Sequence, residues 1–591
     1  MNFKYLHAVG ESTFWLDHRL TPEVRAMFCA MASRAPVGGI RARYEQVVEA
    51  VAESLWDDKN PRHPWVDMVQ LAAEPGASSD ILFRDLDDPF LHVTRTTLRQ
   101  ELDDCRTRAE DRLCGYPLHP KVQKFFDDFV ARYGHSSIME LVGSPAVYSE
   151  GISWFTAWQL FDSPLCAGQE FSTRAVQHAD WPMARECYEW RTLDEMLSDP
   201  QPSDAFGTFV HPEPKAPHLD LAALHRDWFK VFEAEVAWWK NHLTDEANRL
   251  ALGIGDKEPF RPALDRARWA LPGTIATGCA HTTSLRERAR VLKDGSLLAQ
   301  KSGSLAAVAV WEELMQAYRE ALPGLAGMGL REAHYTPDSS IPGHMVSVLT
   351  DAPDGPDVEV GTTFTDGLPD VPVFVRVTDK AYIDPAANSS CRVGVTFRCS
   401  LAVARDWHRH RTLFPWHLQV VRTIQYVAVA KASGEGVDVS MTFFGNDPFI
   451  IPAGTQLDGM DGNTYLSEED AWSVPDRGQI QIDHHYRPMS DLAKAKVPAL
   501  LRRSTRLFDE AMAKGDVTRA ALCLPLGTRV RLRGQGGLRD VLYMLELRKN
   551  AVGANFEYKE QAGSALHLLL DDVGPEVVRL HNLDGRLLRL P

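Results

Sequence analysis

An internal repeat is the feature of this sequence that most constrains its fold. A Pro-to-Arg spacing of 14 residues occurs twice, at Pro272 and Arg286 and again at Pro525 and Arg539. The second pair lies 253 residues after the first, and each proline sits in a Leu-Pro segment that runs into Gly-Thr. A repeat of this length indicates two copies of one folding unit. The sequence therefore predicts two related domains in tandem.

The length of the chain supports the same division. A chain of 591 residues is too long for one ordinary core. Residues 322–371 are rich in Gly, Pro and Asp, which is typical of a junction. We expect the boundary near residue 330, giving domains 1–330 and 331–591.

Both halves have the same order of predicted elements: a strand that runs into a helix, followed later by a long helix. The predicted strand–helix pairs cover 146–148 with 152–161 and 393–397 with 401–408, and the long helices cover 219–252 and 491–514. This mixture predicts an α+β protein, built as two tandem α/β domains that form a pseudo-dimer.

The composition excludes several classes of protein. Hydrophobic residues make up 44% and charged residues 24%, and the net charge is −16, which argues against a nucleic-acid or anionic-membrane surface. We expect no membrane span, because no apolar run approaches ~20 residues. We expect no signal peptide at the start, and no metal site, because the nine cysteines include no Cys-x-x-Cys pair. Together these features predict a cytoplasmic protein.

Two short segments carry residues suited to bind phosphate. Arg409, His410 and Arg411 follow a predicted helix, and guanidinium groups bind phosphate oxygens in pairs. Ser172 and Arg174 stand two residues apart in an extended stretch, so that hydroxyl and guanidinium point the same way. Each segment alone predicts a phosphate contact.

Taken together, these segments resemble the flavin-dependent thymidylate synthases (the ThyX family). In that family a His-x-Ser-x-x-Glu segment precedes Arg-His-Arg, and Ser-x-Arg follows after seven residues. Here His135, Ser137 and Glu140 match the first segment, 409–411 the second and 172–174 the third. The chain is similar to two-repeat members of the family.

The resemblance implies roles for individual residues. The residues it places at the flavin are Arg409, His410, Arg411, His135, Ser137 and Arg539. Those it places at the nucleotide are Glu170, Ser172, Arg174, Gln159, Arg268 and Asp406. The arginines expected to act catalytically, by drawing charge from the pyrimidine ring, are Arg174, Arg409 and Arg548.

The family signature is divided between the two halves. The first half has Ser-x-Arg, but Asp-Ser-Pro at 162–164 where Arg-His-Arg is expected. The second half has Arg-His-Arg, but Gln419 and Val421 where Ser-x-Arg is expected. Arg548 likewise corresponds to Gly295. The division predicts one composite site between the halves and a mirror-related site that is inactive.

The implied activity is reductive methylation of dUMP to dTMP, with FAD as cofactor and NADPH and methylenetetrahydrofolate as cosubstrates. The expected partner is a pyrimidine deoxynucleotide and no nucleic acid. Because family members assemble from four single domains, two chains with four repeats predict a homodimer.

Two alternatives remain open at this point. One is flavin-dependent C5 methylation or hydroxymethylation of another pyrimidine nucleotide, favoured by Asp406 where the family has glutamine, since a carboxylate accepts from an amino group. The other is a non-catalytic scaffold that binds a nucleotide.

Overall fold

Two antiparallel sheets, one in each half of the sequence, organise the fold. The computed structural model describes residues 3–10, 12–33, 39–60, 63–75, 94–132, 138, 141, 146–161, 166–171, 182–190, 214–252, 254, 259–283, 304–322, 373–378, 392–410, 416–418, 480, 482–483, 485–550 and 555–573. The predicted boundary near residue 330 lies outside these ranges.

The described part of the first half contains strands and helices in alternating groups. Its strands are Leu6–Val9 (β1), Thr13–Leu16 (β2), Ala146–Ile152 (β3), Cys166–Glu170 (β4), Tyr188–Trp190 (β5), Pro214–Pro217 (β6) and Thr277–Thr283 (β7). Its α-helices are Pro22–Ala32 (α1), Gly39–Asp57 (α2), Trp65–Ala73 (α3), Arg95–Arg112 (α4), Pro120–Phe126 (α5), Trp154–Phe161 (α6), Leu219–His242 (α7), Glu246–Ala251 (α8), Phe260–Ala267 (α9) and Leu305–Ala321 (α10). Short turns of other helix types cover Asp127–Arg132, Arg185–Cys187 and Arg268–Ala270.

The described part of the second half contains fewer strands and helices. Its strands are Val373–Thr378 (β8), Arg392–Ser400 (β9), His417–Leu418 (β10) and Arg529–Gly537 (β11). Its helices are Leu401–His408 (α11), Asp491–Lys514 (α12), Val517–Leu522 (α13), Leu538–Asn550 (α14) and Phe556–Val573 (α15).

The strand orders are β1-β2-β3-β7-β4 in the first sheet and β10-β11-β9-β8 in the second. Every pairing is antiparallel, and β5 and β6 form a separate ribbon. The described residues thus form a mixed α+β structure, as the sequence predicts at that level.

The two sheets share one order of connections. In each, a strand, a short helix and a second strand follow one another, and the two strands pair with opposite edges of a later strand. These trios are β3-α6-β4 around β7 and β9-α11-β10 around β11. A helix of 24 residues precedes each central strand, α7 in one half and α12 in the other.

Each short helix begins directly after a serine. Ser153 Oγ accepts from the Thr156 N–H at 3.1 Å, and Ser400 Oγ accepts from the Val403 N–H at 3.2 Å. Such a serine satisfies an N–H group left free at a helix start. It explains why α6 starts at Trp154 and not at residue 152, where the apolar pattern alone predicts it.

One apolar core contains side chains from both halves. Trp154, Trp228 and Trp269 of the first half belong to the same buried cluster as Phe397 and Trp407 of the second. The indole N–H of Trp154 also donates to the backbone carbonyl oxygen at residue 521, at 3.2 Å. Side chains of this size dominate burial free energy, so the halves stabilise each other.

The two repeat segments meet inside this core. The Leu526 N–H donates to Leu271 O at 2.8 Å, and the Gly527 N–H donates to Trp269 O at 2.7 Å. A Cβ atom on Gly527 would lie 2.7 Å from Trp269 Cβ and 2.8 Å from Trp269 O. Only glycine allows the two backbones to come this close.

A further helical layer covers one face of the first sheet. Helices α1 to α5 share a buried cluster with Tyr148 of β3 and Ala280 of β7. The opposite face, with Val147 and Cys279, packs against α10. Within the described residues, no helix combines the length and apolar character needed to cross a membrane.

Gly527→Ala tests the contact between the repeats. The added methyl group meets backbone and Cβ atoms that cannot rotate away, so we expect a loss of about 1–3 kcal/mol in the free energy of unfolding. Chemical denaturation measures it. The control is Gly563→Ala on α15, where nothing lies within 4 Å of the added carbon. Equal stability of both variants would show that the close approach is not needed.

Candidate functional site

Helix α11 carries the first two residues of the predicted flavin triplet at its C-terminal end, and Ser400 fixes its start. Besides capping the helix, the Ser400 N–H and hydroxyl each donate to the Glu557 carboxylate of α15, at 2.8 Å. The helix is therefore held at its first turn by a buried acceptor from another element. Asp406 lies in its last turn and Arg409 caps its end.

Two ion pairs join α11 to the first half. Arg405 donates to Glu170, the last residue of β4, and Glu170 also accepts from Thr277 Oγ1 at 3.2 Å. Arg268 Nη1 donates to Asp406 Oδ2 at 2.9 Å. Glu170, Arg268 and Arg405 are buried, so these pairs are shielded from water and fix how the halves meet.

A small cleft lies beside the Arg405–Glu170 pair. Its lining combines aromatic and charged side chains of both halves: Trp154, Trp158, Phe161, Gly168, Glu170, Arg405, His408 and Arg409. The rings of Trp158 and His408 stack across the interface, with centroids 3.8 Å apart and an interplanar angle of 4°. Because these two rings contact each other, they close one side of the cleft and join the two halves beside the charged groups.

A second group of residues lies just beyond the C-terminal end of α11. Arg548 Nε donates to His410 Nε2 at 2.6 Å, and the Arg548 guanidinium lies 5.1 Å from the centre of the Tyr558 ring. Since arginine only donates, His410 Nε2 accepts, and the ring is the neutral tautomer with its proton on Nδ1. Tyr558 donates its hydroxyl to Asp406 O at 3.1 Å, and burial raises the pKa of Tyr558.

The arginines of this region offer more donors than the described residues accept. Nε and Nη2 of Arg268, which is fully buried, have no acceptor in the described part of the chain, and neither has Nε of Arg409. Burial acts to lower the pKa of Arg268, but nearby acidic groups, Asp406 first, outweigh it and raise that pKa. The guanidinium is therefore permanently charged.

Arg409 is partly exposed to solvent. About a third of its side chain is exposed (34%), and its Nη2 lies 3.9 Å from Asp406 Oδ1. Asp406 thus stands between Arg268 and Arg409 and orients both. Arg409 can contact a ligand in the cleft without losing a close ion pair.

The strand registers allow the two halves to be aligned residue by residue. Ile152 of β3 pairs with Thr277 of β7, and Cys399 of β9 pairs with Val530 of β11. Thr277 and Val530 are separated by the repeat offset of 253 residues, so Ile152 corresponds to Cys399. The serines that cap α6 and α11 follow directly in both halves.

On this alignment each residue of the two ion pairs corresponds to an uncharged residue in the other half. The corresponding residues are Arg405 and Trp158, Asp406 and Gln159, His408 and Phe161, Glu170 and Leu418, and Arg268 and Ala521. The residues that correspond to Arg405 and Glu170 are therefore Trp158 and Leu418. The interface between the halves carries its buried ion pairs at only one of two related positions.

The structure brings together six of the residues predicted from the sequence. Those found around α11 are Glu170, Arg268, Asp406, Arg409, His410 and Arg548. Gln159 is buried on α6, and its side chain donates to Phe155 O at 3.3 Å. Arg539 is exposed at the start of α14. His135, Ser137, Ser172, Arg174 and Arg411 lie outside the described residues.

Of the residues that line the cleft, only Glu170 and Arg409 were predicted from the sequence. Arg405, Trp158 and His408 differ from their counterparts in the other half, so they carry no repeat signal. Arg405 belongs to the basic run that ends in the Arg-His-Arg triplet, and this run is the sequence signal that could have identified it. Its pairing with Glu170 requires knowledge of how the halves meet.

Arg405→Met tests the buried pair. The variant leaves Glu170 without its cation, and we expect a loss of about 3–5 kcal/mol in the free energy of unfolding. The matched control is Arg506→Met, which removes a solvent-exposed pair with Glu510 and should cost less than ~1 kcal/mol. The double variant Arg405→Met/Glu170→Met should recover most of the loss. An Arg405→Met protein as stable as the control would contradict a structural role for the pair.

Comparison of the chain with protein-family models, with curated proteins and with solved structures gives no match. An assignment of function therefore depends on the geometry of the site and on the residue patterns of the sequence.

Proposed function

We propose that this chain is a flavin-dependent enzyme of the thymidylate synthase type, with one composite site between its two halves. It would methylate dUMP to dTMP with FAD, NADPH and methylenetetrahydrofolate. One observation carries the proposal: residues that the resemblance assigns to one site but that lie in different halves are in contact. Arg268 of the first half and Asp406 of the second form the ion pair at 2.9 Å.

The charge balance of the site supports an anionic ligand. Its described residues include four arginines, Arg268, Arg405, Arg409 and Arg548, against the carboxylates of Glu170 and Asp406. With His410 neutral, the group has an excess of two positive charges in a chain whose net charge is −16. Such a local reversal of sign favours phosphate binding.

The residues present fit the anionic part of a flavin nucleotide. The side chain of Arg409 is partly exposed, and an exposed guanidinium suits contact with a pyrophosphate oxygen. When bound, the flavin would supply the hydride that completes the new methyl group. The protein's contribution would be to bind, orient and polarise the nucleotide through fixed arginines.

Arg548 and His410 form a prearranged donor group in this proposal. Arg548 is held by His410 Nε2 and by the face of Tyr558. A guanidinium that is already held in place need not reorganise when charge develops on the pyrimidine ring. Such prearrangement lowers the activation barrier of the reaction.

The position of Asp406 bears on which pyrimidine is bound. Its carboxylate accepts from Arg268 and lies beside Arg409, so reading an amino group would compete with two guanidinium groups. This arrangement favours a role in positioning arginines over recognition of a cytosine-type base. Uracil is therefore our preferred base.

Arg409→Ala tests the site. Loss of a charge-assisted hydrogen bond of ~1.5–3 kcal/mol should weaken both FAD retention and dUMP binding by about tenfold or more. The visible spectrum of the desalted, FAD-loaded protein measures retention, and quenching of flavin fluorescence measures dUMP binding. Arg506→Ala, on an exposed face of α12, should leave both unchanged. A wild-type protein that retains no FAD would favour the scaffold alternative.

Base preference gives an independent test. With Asp406 engaged by Arg268, we expect dUMP to bind about tenfold more tightly than dCMP, the equivalent of one hydrogen bond of ~1.4 kcal/mol. Competition between the two nucleotides on the FAD-loaded protein measures the ratio. A preference for dCMP would instead support a pyrimidine whose amino group donates to Asp406.

A further inference from the structure

A buried cluster outside the proposed site combines two carboxylates and an imidazole. Asp483 and His485 lie on the segment that leads into α12, and Glu557 lies in the first turn of α15. One ligand atom from each residue lies within 4.8 Å of the other two. Asp483 and Glu557 are fully buried, and only 6% of the His485 side chain is exposed.

The imidazole nitrogen Nδ1 of His485 faces both carboxylates. It lies 2.6 Å from Asp483 Oδ1 and 4.0 Å from Glu557 Oε1. Asp483 and His485 are spaced as Asp-x-His, and the third group comes from a different element. Three ligand atoms therefore converge on one point from two directions.

Neighbouring groups hold these ligands in place. Glu557 accepts from the Ser400 hydroxyl at 2.8 Å, from the Tyr486 hydroxyl at 2.7 Å and from Gln561 Nε2 at 3.2 Å. The second nitrogen of His485, Nε2, lies 3.7 Å from a Glu560 carboxylate oxygen. An imidazole that binds a metal through one nitrogen commonly directs the other at a carboxylate.

The charge balance of the cluster favours a divalent cation. Ser400, Tyr486 and Gln561 all act as donors toward Glu557, so they stabilise its carboxylate form. Two buried carboxylates with one imidazolium leave a net negative charge, which is costly in a low-dielectric interior. A divalent ion in place of the imidazolium proton makes the cluster neutral.

We propose that Asp483, His485 and Glu557 form a structural site for a divalent transition metal, with Zn²⁺ as the ion of choice. Imidazole with two carboxylates suits Zn²⁺ better than Ca²⁺ or Mg²⁺, which prefer oxygen ligands alone. Nothing in the proposal rests on the flavin or nucleotide assignments. Its effect would be to lock the segment before α12 to α15 and, through Ser400, to the start of α11.

Metal binding requires His485 in its neutral form, because an imidazole nitrogen that carries a proton cannot act as a ligand.

A cobalt titration tests the site. Untagged protein treated with a chelator is titrated with Co²⁺, whose ligand-field absorption reports coordination, and then with Zn²⁺. We expect one Co²⁺ per chain, displaced by one Zn²⁺, and a raised midpoint of thermal unfolding with either ion. The control His567→Gln, at an exposed position of α15, should bind as the wild type does, whereas His485→Gln should bind neither ion.

The wild-type titration decides the proposal even if His485→Gln fails to fold. A wild-type chain that binds no Co²⁺ or Zn²⁺ at pH 8 would overturn it and leave the cluster as a proton-bridged ion group. Binding that persists unchanged in a folded His485→Gln protein would also overturn it. Glu560→Gln alters only the outer carboxylate, so this variant should weaken binding without abolishing it.

Discussion

The backbone contact between Gly527 and Trp269 is the constraint on which the arrangement of the two halves depends. It places the two repeat segments against each other inside a core that both halves supply. Because glycine lets the chains approach without a side chain between them, the large indole rings around them pack on both sides. The positions of α6 and α11, and with them the cleft, result from this meeting point.

A duplicated interface need not stay symmetric, and the two related positions of this one differ in charge. One of its two related positions carries the Arg405–Glu170 pair, and the other carries Trp158 and Leu418. Buried ion pairs seldom stabilise more than an apolar contact of the same size. Their presence at one position only is therefore not explained by stability. The two related positions join the halves through different interactions, apolar at one and charged at the other.

Local signals made much of the fold predictable. Helix α12 has the predicted bounds because Ser490 caps its start and Gly515, with a φ of 78°, ends it. The predicted helix over 219–252 instead breaks near Asp245, which caps a new helix, α8. In the site, the Arg268–Asp406 pair joins two residues that the sequence assigned to one site, whereas Ser172 and Arg174 lie outside the described residues. The Arg405–Glu170 contact was not predictable, because 235 residues separate the partners and only the packing of the halves joins them.

The shared core also changes how the site depends on concentration. When an active site is assembled from separate subunits, dilution takes it apart, and each subunit must keep every residue because all copies are identical. Here both halves belong to one polypeptide, so the second half is always present at a high effective concentration. Each half is also free to lose what the other keeps. Covalent linkage thus turns a symmetric assembly into one in which the two partners can specialise.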